Sequence, residues 1–326
     1  MQRLIIVIGV LIFSVWLNNN SLLATKPQNA PQLIAHRGVH QNFFNEGLTN
    51  ESCTAEMIYP PEHDFIENTV PSIQAAIDAG AAVNEIDVQR TKDGHFAVFH
   101  DHTLDCRTEA SGYIRNYTLA ELKQLDPGYG YTSDSGRTYP FRGKYIGAIP
   151  SLREIMDQFP EHTFILNLKS NKPEDAIALL STMSENPKWD ERIMAIISGR
   201  RAVEQIRTQQ SEIRSASRHT GQQCLKHFML TGWSGFIPDT CHNTVFAVPM
   251  NYRHLTWGWP YRLTARLKSV NTPVIVLGPF ERGDPGTTGV NHYKEFEALP
   301  QHLDAYIMTD RIDLIGPLIP QQSGIH

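Results

Sequence analysis

Short apolar runs that end in polar residues alternate along this chain with stretches of helical spacing. Leu33-Ile34-Ala35 runs into His36-Arg37-Gly38. A polar segment from His40 to Phe65 follows, too long for an ordinary connection, and reads as an inserted loop. Glu67-Asn68-Thr69-Val70-Pro71-Ser72 then opens a helix. Asn68 or Thr69 can cap it, Pro71 suits its first turn, Ile73, Ala76 and Ile77 form its apolar face, and Gly80 ends it. After a long region from Leu104 to Ile149, with one short helix from Thr118 to Leu125, a helix opens at Pro150-Ser151-Leu152. Strands are then expected at Phe164–Lys169, Ile193–Ile197, Ile213–Ala216, Thr244–Val248, Pro273–Leu277 and Ala305–Met308. Helices are expected between them at Pro173–Met183, Arg200–Arg207, Gln222–Met229, Pro260–Val270 and Tyr293–Leu299.

The most informative stretch is Asn84 to Asp101. Its first half reads as a buried strand carrying two carboxylates. Side chains alternate faces along a strand, so Glu85 and Asp87 point the same way, where they either repel or share a cation. Lys92-Asp93-Gly94 is a tight turn, and Phe96 to Phe99 is a second β run. A parallel return needs a crossover of about a dozen residues. The second run must therefore come back antiparallel, as a hairpin that brings His100-Asp101 toward the carboxylate pair. An edge hairpin with a solvated His-Asp is the plainer alternative.

With the hairpin arm set aside, eight strands mostly alternate with helices. That pattern fits an α/β fold of the (β/α)₈ TIM barrel type, with the antiparallel arm after strand 2 and the inserted loop after strand 1. A doubly wound open sheet is the alternative, but no Gly-x-Gly-x-x-Gly follows an early strand. In a barrel, chemistry collects at the C-terminal ends of the strands. Here those ends carry His36-Arg37, Glu85-x-Asp87, Asn167-x-Lys169 and Thr309-Asp310.

Composition narrows the setting. The chain has 326 residues, 41% of them hydrophobic, enough for one large core, and a net charge of −5 that speaks against nucleic acid. Met1-Gln2-Arg3, the apolar run Leu4 to Leu17 and the polar Asn18-Asn19-Asn20 resemble a signal peptide cut near Ala24. Residues 1–24 would then be the signal and residues 25–326 a single exported domain, periplasmic or secreted. An uncleaved membrane anchor is the other reading. The four cysteines permit three disulfide pairings, or none. Cys53–Cys106 with Cys224–Cys241 staples one long loop region each.

The strand-end residues suggest a chemistry. Glu85 and Asp87 offer hard oxygens for one divalent cation, Mg²⁺ or Ca²⁺. Arg37 and Lys169 are cations for a phosphate. His36 and His100 can act as an acid–base pair near neutral pH. Singly, Arg37 and Lys169 could be structural. Together the set suits hydrolysis of a small-molecule phosphodiester, with no protein partner implied.

These residues resemble the glycerophosphodiester phosphodiesterases. The matching pieces are His36-Arg37-Gly38, Glu67-Asn68-Thr69, Glu85-Ile86-Asp87-Val88, Thr91-Lys92-Asp93-Gly94, His100-Asp101, Leu166-Asn167-Leu168-Lys169 and Met308-Thr309-Asp310-Arg311, in a stretch from about Leu33 to Pro317. The resemblance implies a metal-dependent barrel that converts glycerophosphodiesters to glycerol 3-phosphate and an alcohol. It implies His36 and His100 as the catalytic pair, Arg37 and Lys169 as the phosphate clamp, and Glu85 and Asp87 as metal ligands. Glu67 matches an acid near the metal, as ligand or one contact behind it, with helix capping as the alternative. Asn167 stands where the family usually has Glu, so its carbonyl would replace a carboxylate and bind metal less tightly. Leu277-Gly278 stands where a Trp often occurs; Trp233, Phe236, Trp257 and Trp259 are substitutes for an aromatic wall. The insertion from His40 to Phe65 is expected to lean over the barrel mouth. Two other functions are compatible: a phospholipase D-like hydrolase of lysophospholipids or sphingolipids, which are membrane-lipid substrates, and a non-catalytic phosphodiester-binding barrel.

Overall fold

The computed structural model describes residues 2–44, 47–49, 52–281 and 288–319. Its strands are β1 (Gln32–His36), β2 (Val83–Arg90), β3 (Phe96–Val98), β4 (Thr163–Leu168), β5 (Ile193–Ser198), β6 (Ser215–Ala216), β7 (Phe246–Pro249), β8 (Val274–Leu277) and β9 (Tyr306–Thr309). They run in the order β6-β5-β4-β2-β1-β9-β8-β7, with β3 attached to β2 outside that path. Every ladder along the path is parallel. The two ends of the path, β6 and β7, meet through the backbone N–H of Ser215, which donates to the Asn243 carbonyl at 3.1 Å, and the Thr244 hydroxyl, which donates to the Ser215 carbonyl at 3.0 Å. The sheet thus curls into an eight-stranded (β/α)₈ barrel.

Strand alternation builds its interior. Ile34, Val83, Ile165, Ala195, Ala216, Ile275 and Met308 are buried together with Val245, which precedes β7. Seven of the eight barrel strands thus contribute to this apolar layer, and Val245 fills the place ahead of β7. The intervening residues Leu33, Ala35, Ile86, Val88, Leu166 and Leu168 pack instead in two clusters shared with the helices. Two residues beyond the apolar layer, on the same face, stand His36, Glu85, Asn167 and Asp310. Period-two geometry alone thus lifts the polar set onto one end of the barrel.

The helices are α1 (Gln2–Asn19), α2 (Val70–Asp78), α3 (Leu119–Leu122), α4 (Leu152–Gln158), α5 (Pro173–Ser184), α6 (Arg200–Gln209), α7 (Arg218–Thr231), α8 (Tyr261–Lys268), α9 (Tyr293–Glu297) and α10 (Ile312–Ile315). Thr69, not Asn68, caps α2 through its side chain. α7 starts four residues before the expected Gln222 because Ser217 and Thr220 form a capping box. β6 is only two residues long, shorter than the expected Ile213–Ala216. β7 begins at Phe246 rather than Thr244, whose hydroxyl serves the β6 seam instead.

Two long insertions share a satellite core. Ala55, Ile58 and Ile66 bury with Tyr131 and Phe141 of the region after β3. The sulfurs of Cys53 and Cys106 lie 2.08 Å apart across these two insertions. Those of Cys224 and Cys241 lie 2.00 Å apart, tying α7 to the chain before β7. Residues 45, 46, 50 and 51 of the first insertion lie outside the described residues.

α1 has no buried residue and is, by length and composition, long and apolar enough to cross a membrane. Its C-terminal end touches the barrel. Asn18 and Asn19 donate to the Trp233 carbonyl, and Arg266 donates to the carbonyl of Asn18. Trp257 and Trp259 line a groove against Val15 and Trp16 of this helix. Three of the four aromatic residues expected above as a wall, Trp233, Trp257 and Trp259, thus meet α1.

Phe164 is fully buried on β4. Its truncation to Ala should cost about 3–5 kcal/mol, read as a lowered urea midpoint at unchanged slope.

Candidate functional site

The β1 end sets the first element. His36 is its last residue, and the chain then turns sharply, with Arg37 at φ +62° and Gly38 at φ +80°. A Cβ on Gly38 would sit 2.2 Å from the Ser72 hydroxyl and 2.9 Å from Ser72 backbone. Only glycine lets α2 approach so closely. The turn is pinned by the Arg37 N–H donating to the Glu85 carbonyl and the Asn68 N–H donating to the Arg37 carbonyl. Arg37 is not glycine, so its left-handed backbone is a local strain of the kind that collects at functional sites.

The register of β1, β2 and β4 brings the polar ends side by side. His36 pairs with Glu85 and Asp87 with Asn167 across the ladders. Asp87 is fully buried. It accepts from Asn68 Nδ2 at 2.9 Å and Asn167 Nδ2 at 3.1 Å, and faces Lys169 Nζ at 3.0 Å and Arg37 Nε at 3.4 Å. Burial disfavours its charge, but Lys169, His100 and Arg37 outweigh that and hold the carboxyl far below the usual range.

Glu85 is the opposite case. It is 2% exposed, and its Oε2 has no hydrogen-bond partner. The facing cation is His36 Nε2, 3.8 Å away. Burial and the Asp87 charge push its carboxyl up. A buried, unpartnered carboxylate oxygen beside a second carboxylate is a fitting place for a hard divalent cation. Glu85, Asp87 and the amide oxygen of Asn167, whose nitrogen donates to Asp87, are the oxygens that could hold such an ion.

The hairpin delivers His100. Val88 pairs with Val98 in the antiparallel β2–β3 ladder, and the Phe99 N–H donates to the Asp87 carbonyl. Gln89 donates its side-chain amide to the carbonyls of Phe99 and Asp101, clamping the backbone on both sides of His100. Burial and then Arg37 push His100 down to about 4, against the pull of Asp87. For His36, burial and Arg37 act downward. Asp310 and Glu85 outweigh them, and its pKa lies above the ordinary value.

All the residues expected from the sequence converge here, with Glu67 one contact behind. Glu67 is not a helix cap: its Oε1 faces Arg37 at 3.5 Å and Arg107 at 3.3 Å. Four participants had been given no individual site role from the sequence, although Asn68 and Asp310 were named there. Asn68 bridges to Asp87 instead of capping α2. Asp310 lies 2.6 Å from His36 Nδ1. Its position two residues past Met308 on an inward-facing register was a readable signal. Arg107 is buried and bonds Asp101, and His40 lies buried 4.0 Å from Asp310. Both sit in long loops, where no period exists to read. His36, His40 and Asp310 are also near enough together to hold an ion, but Asp310 is already bonded directly to His36.

A parallel barrel thus brings paired carboxylates, two histidines and two cations together at the end where barrel enzymes carry their active sites. Residues 36–221 match the model of the glycerophosphoryl diester phosphodiesterase family, more than half of the chain, and the chain belongs to that family. A glycerophosphodiester phosphodiesterase from Caldanaerobacter subterraneus is 36% identical over 104 residues, 32% of this chain and 39% of that protein. Glycerophosphodiester phosphodiesterase 1 of Mus musculus is 25% identical over 174 residues, 52% of this chain and 44% of its own length. The matched stretches thus span less than half of these curated relatives. In fold, the chain resembles the glycerophosphoryl diester phosphodiesterase domain of an uncharacterized Mycobacterium tuberculosis protein, with TM-score 0.62 and 18% identity over 89% of this chain and 99% of that one. An Oleispira antarctica phosphodiesterase, solved in complex with the product sn-glycerol-3-phosphate, superposes with TM-score 0.51 and 20% identity over 89% of this chain and 98% of that one.

Two outcomes follow. Asn167→Glu restores a carboxylate to the donor set and should tighten Mg²⁺ or Ca²⁺ binding by about tenfold in calorimetry, about 1.4 kcal/mol. An unchanged affinity would remove Asn167 from the ligand set. The second concerns pH. His100 sits at about 4 when folded, below the ordinary value of about 6.5. Its contribution to stability is therefore complete above about pH 6.5 and is lost progressively as pH falls toward 4. His100→Gln should flatten the fall in urea midpoint between pH 7 and 4.5.

Proposed function

We propose that this protein hydrolyses glycerophosphodiesters to glycerol 3-phosphate and an alcohol with the help of one divalent cation, Mg²⁺ or Ca²⁺. The observation that carries this reading is the convergence, on one barrel end, of the unpartnered Glu85 oxygen with Asp87, two cations and two histidines. The ion would be held by Glu85, Asp87 and the Asn167 carbonyl, and would supply charge stabilisation to the phosphoryl transfer. Arg37 and Lys169 face the same point and bind the phosphodiester anion, Arg37 as a fork and Lys169 as a point charge. His100, kept neutral, accepts a proton at Nε2 from the attacking water, whose oxygen bonds to phosphorus as the bond to the alcohol oxygen breaks. His36, which holds its proton more firmly, donates from Nε2 to the leaving alcohol oxygen. Glu67 keeps Arg37 in place.

The mature chain is read as a single exported barrel domain from residue 25 onward. The apolar α1 followed by a polar segment supports an export signal, and the two cysteine pairs at bonding distance fit an oxidising compartment. Cleavage near Ala24 gives a purified chain whose mass begins at Thr25; a mass retaining α1 contradicts it.

A lipid substrate is favoured by one feature. Phe44 and Tyr59, both about half exposed, meet with ring centroids 4.1 Å apart and planes tilted by 42° on the insertion that follows β1. The deciding assay is choline release from glycerophosphocholine, with glycerol 3-phosphate as its co-product, compared with choline release from lysophosphatidylcholine, with each cation and with chelator. Release from the water-soluble diester should depend on the cation and fall about 10²–10⁴-fold in His36→Ala. Release from the lysolipid alone would move the substrate class to membrane lipids. Binding without turnover of either would leave a phosphodiester-binding barrel.

A further inference from the structure

Behind each histidine stands its own aspartate. His36 Nδ1 lies 2.6 Å from Asp310 Oδ1, and His100 Nδ1 lies 2.6 Å from Asp101 Oδ1. The two histidines come from unrelated elements, the end of β1 and the return of the hairpin, so the shared arrangement is not a by-product of one ladder. We propose that Asp310 and Asp101 are positioning residues, each fixing the proton of one imidazole on Nδ1 and turning Nε2 toward the reacting phosphodiester, and that Arg107 fastens the second of them. This rests on the acid–base reading of His36 and His100.

The chemistry is simple. An ionised carboxylate can only accept a hydrogen bond. Nδ1 must therefore carry the hydrogen, and Nε2 is left as the nitrogen that exchanges a proton with substrate. Nε2 of His36 does point away from Asp310, toward Glu85.

The aspartates are themselves held, in different ways. Asp310 Oδ2 accepts from the Gly289 N–H and from Asn291 Nδ2, both at 2.8 Å. Asn291 Oδ1 in turn accepts from the Asp310 N–H at 2.8 Å. One asparagine thus braces both the side chain and the backbone of Asp310 with neutral groups. Asp101 is held by a cation: its Oδ2 accepts from Arg107 Nε at 2.8 Å. Arg107 is 2% exposed and uses its remaining nitrogens on the Tyr131 hydroxyl at 2.6 Å, the Thr54 hydroxyl at 2.7 Å and Glu67 at 3.3 Å. Thr54 and Arg107 are the chain neighbours of Cys53 and Cys106, whose sulfurs meet. The cross-link therefore sits directly beside the guanidinium that secures Asp101, and through Glu67 the same guanidinium reaches Arg37. A planar five-donor group is suited to this junction in a way an ammonium is not.

The test compares Asp310→Asn, Asp101→Asn and Arg107→Gln with His36→Ala and His100→Ala, in the full chain with its cation. Each Asp→Asn variant should lose roughly a hundredfold or more in kcat with KM within about twofold, since an amide donates to Nδ1 and leaves the hydrogen on Nε2. Adding Asp310→Asn to His36→Ala should cost nothing further. Arg107→Gln should lose about tenfold in kcat and regain part of it with added guanidinium. Nitrogen NMR of His36 should show Nδ1–H in the wild type and Nε2–H in Asp310→Asn. Wild-type turnover in His36→Ala or His100→Ala would sink the acid–base reading itself. Inactive alanine variants beside fully active Asp→Asn variants would overturn only the positioning proposal. Should Asp310→Asn fail to fold, Asn291→Ala loosens the same brace without touching His36, and an unchanged kcat there would also overturn it.

Discussion

A fully buried carboxylate in the second half of β2, Asp87, governs this barrel's working end. Asp87 cannot remain charged out of water unless its surroundings supply compensation, and removing a partner from such a group commonly costs about 3–5 kcal/mol. The chain meets that demand with four side chains from three separate segments. Asn68 comes from the link before α2, Asn167 and Lys169 from the end of β4, and Arg37 from the turn after β1. Satisfying one anion thereby fixes the relative positions of three loops and two cations. The same anion raises the demand at Glu85, whose buried oxygen has no such partners. A divalent cation bound there, as proposed, would supply Glu85 with the partner it lacks.

The electrostatic contrast extends to the histidines. Both are backed by aspartate at the same distance, yet their proton affinities shift in opposite directions. Asp310 is braced by neutral donors and keeps its full pull on His36. Asp101 shares its charge with Arg107, and His100 also faces Arg37 and Lys169. Similar side chains thus acquire different proton affinities from what stands behind them, a division suited to one acid and one base.

Much of this was legible in the chain. The alternation of strands and helices gave the barrel, because period-two and helical spacing are local properties that burial then enforces. The convergence of His36, Glu85, Asp87, Asn167 and Lys169 followed from their position at strand ends. The Lys92-Asp93-Gly94 turn forced the hairpin and with it the return of His100. Boundaries were less readable where side-chain bonds rather than hydrophobic period decide them, as at Ser217 and Thr244. The partners that orient the histidines were legible unequally. Asp310 shares the inward register of Met308 and could have been given a role. Arg107 and His40 could not, since they lie in loops whose conformations come from tertiary packing and from cross-links between distant segments.

The most direct measurement is a crystal of the full barrel domain grown with Mn²⁺ in place of Mg²⁺ or Ca²⁺, with the ion located by its anomalous scattering. A single peak within bonding distance of Glu85 and Asp87, with the Asn167 oxygen turned toward it, is the expected result. A peak bound instead by His36, His40 and Asp310, with Glu85 still unpartnered, would contradict the assignment of the carboxylate pair as the metal site and with it the placement of the reaction.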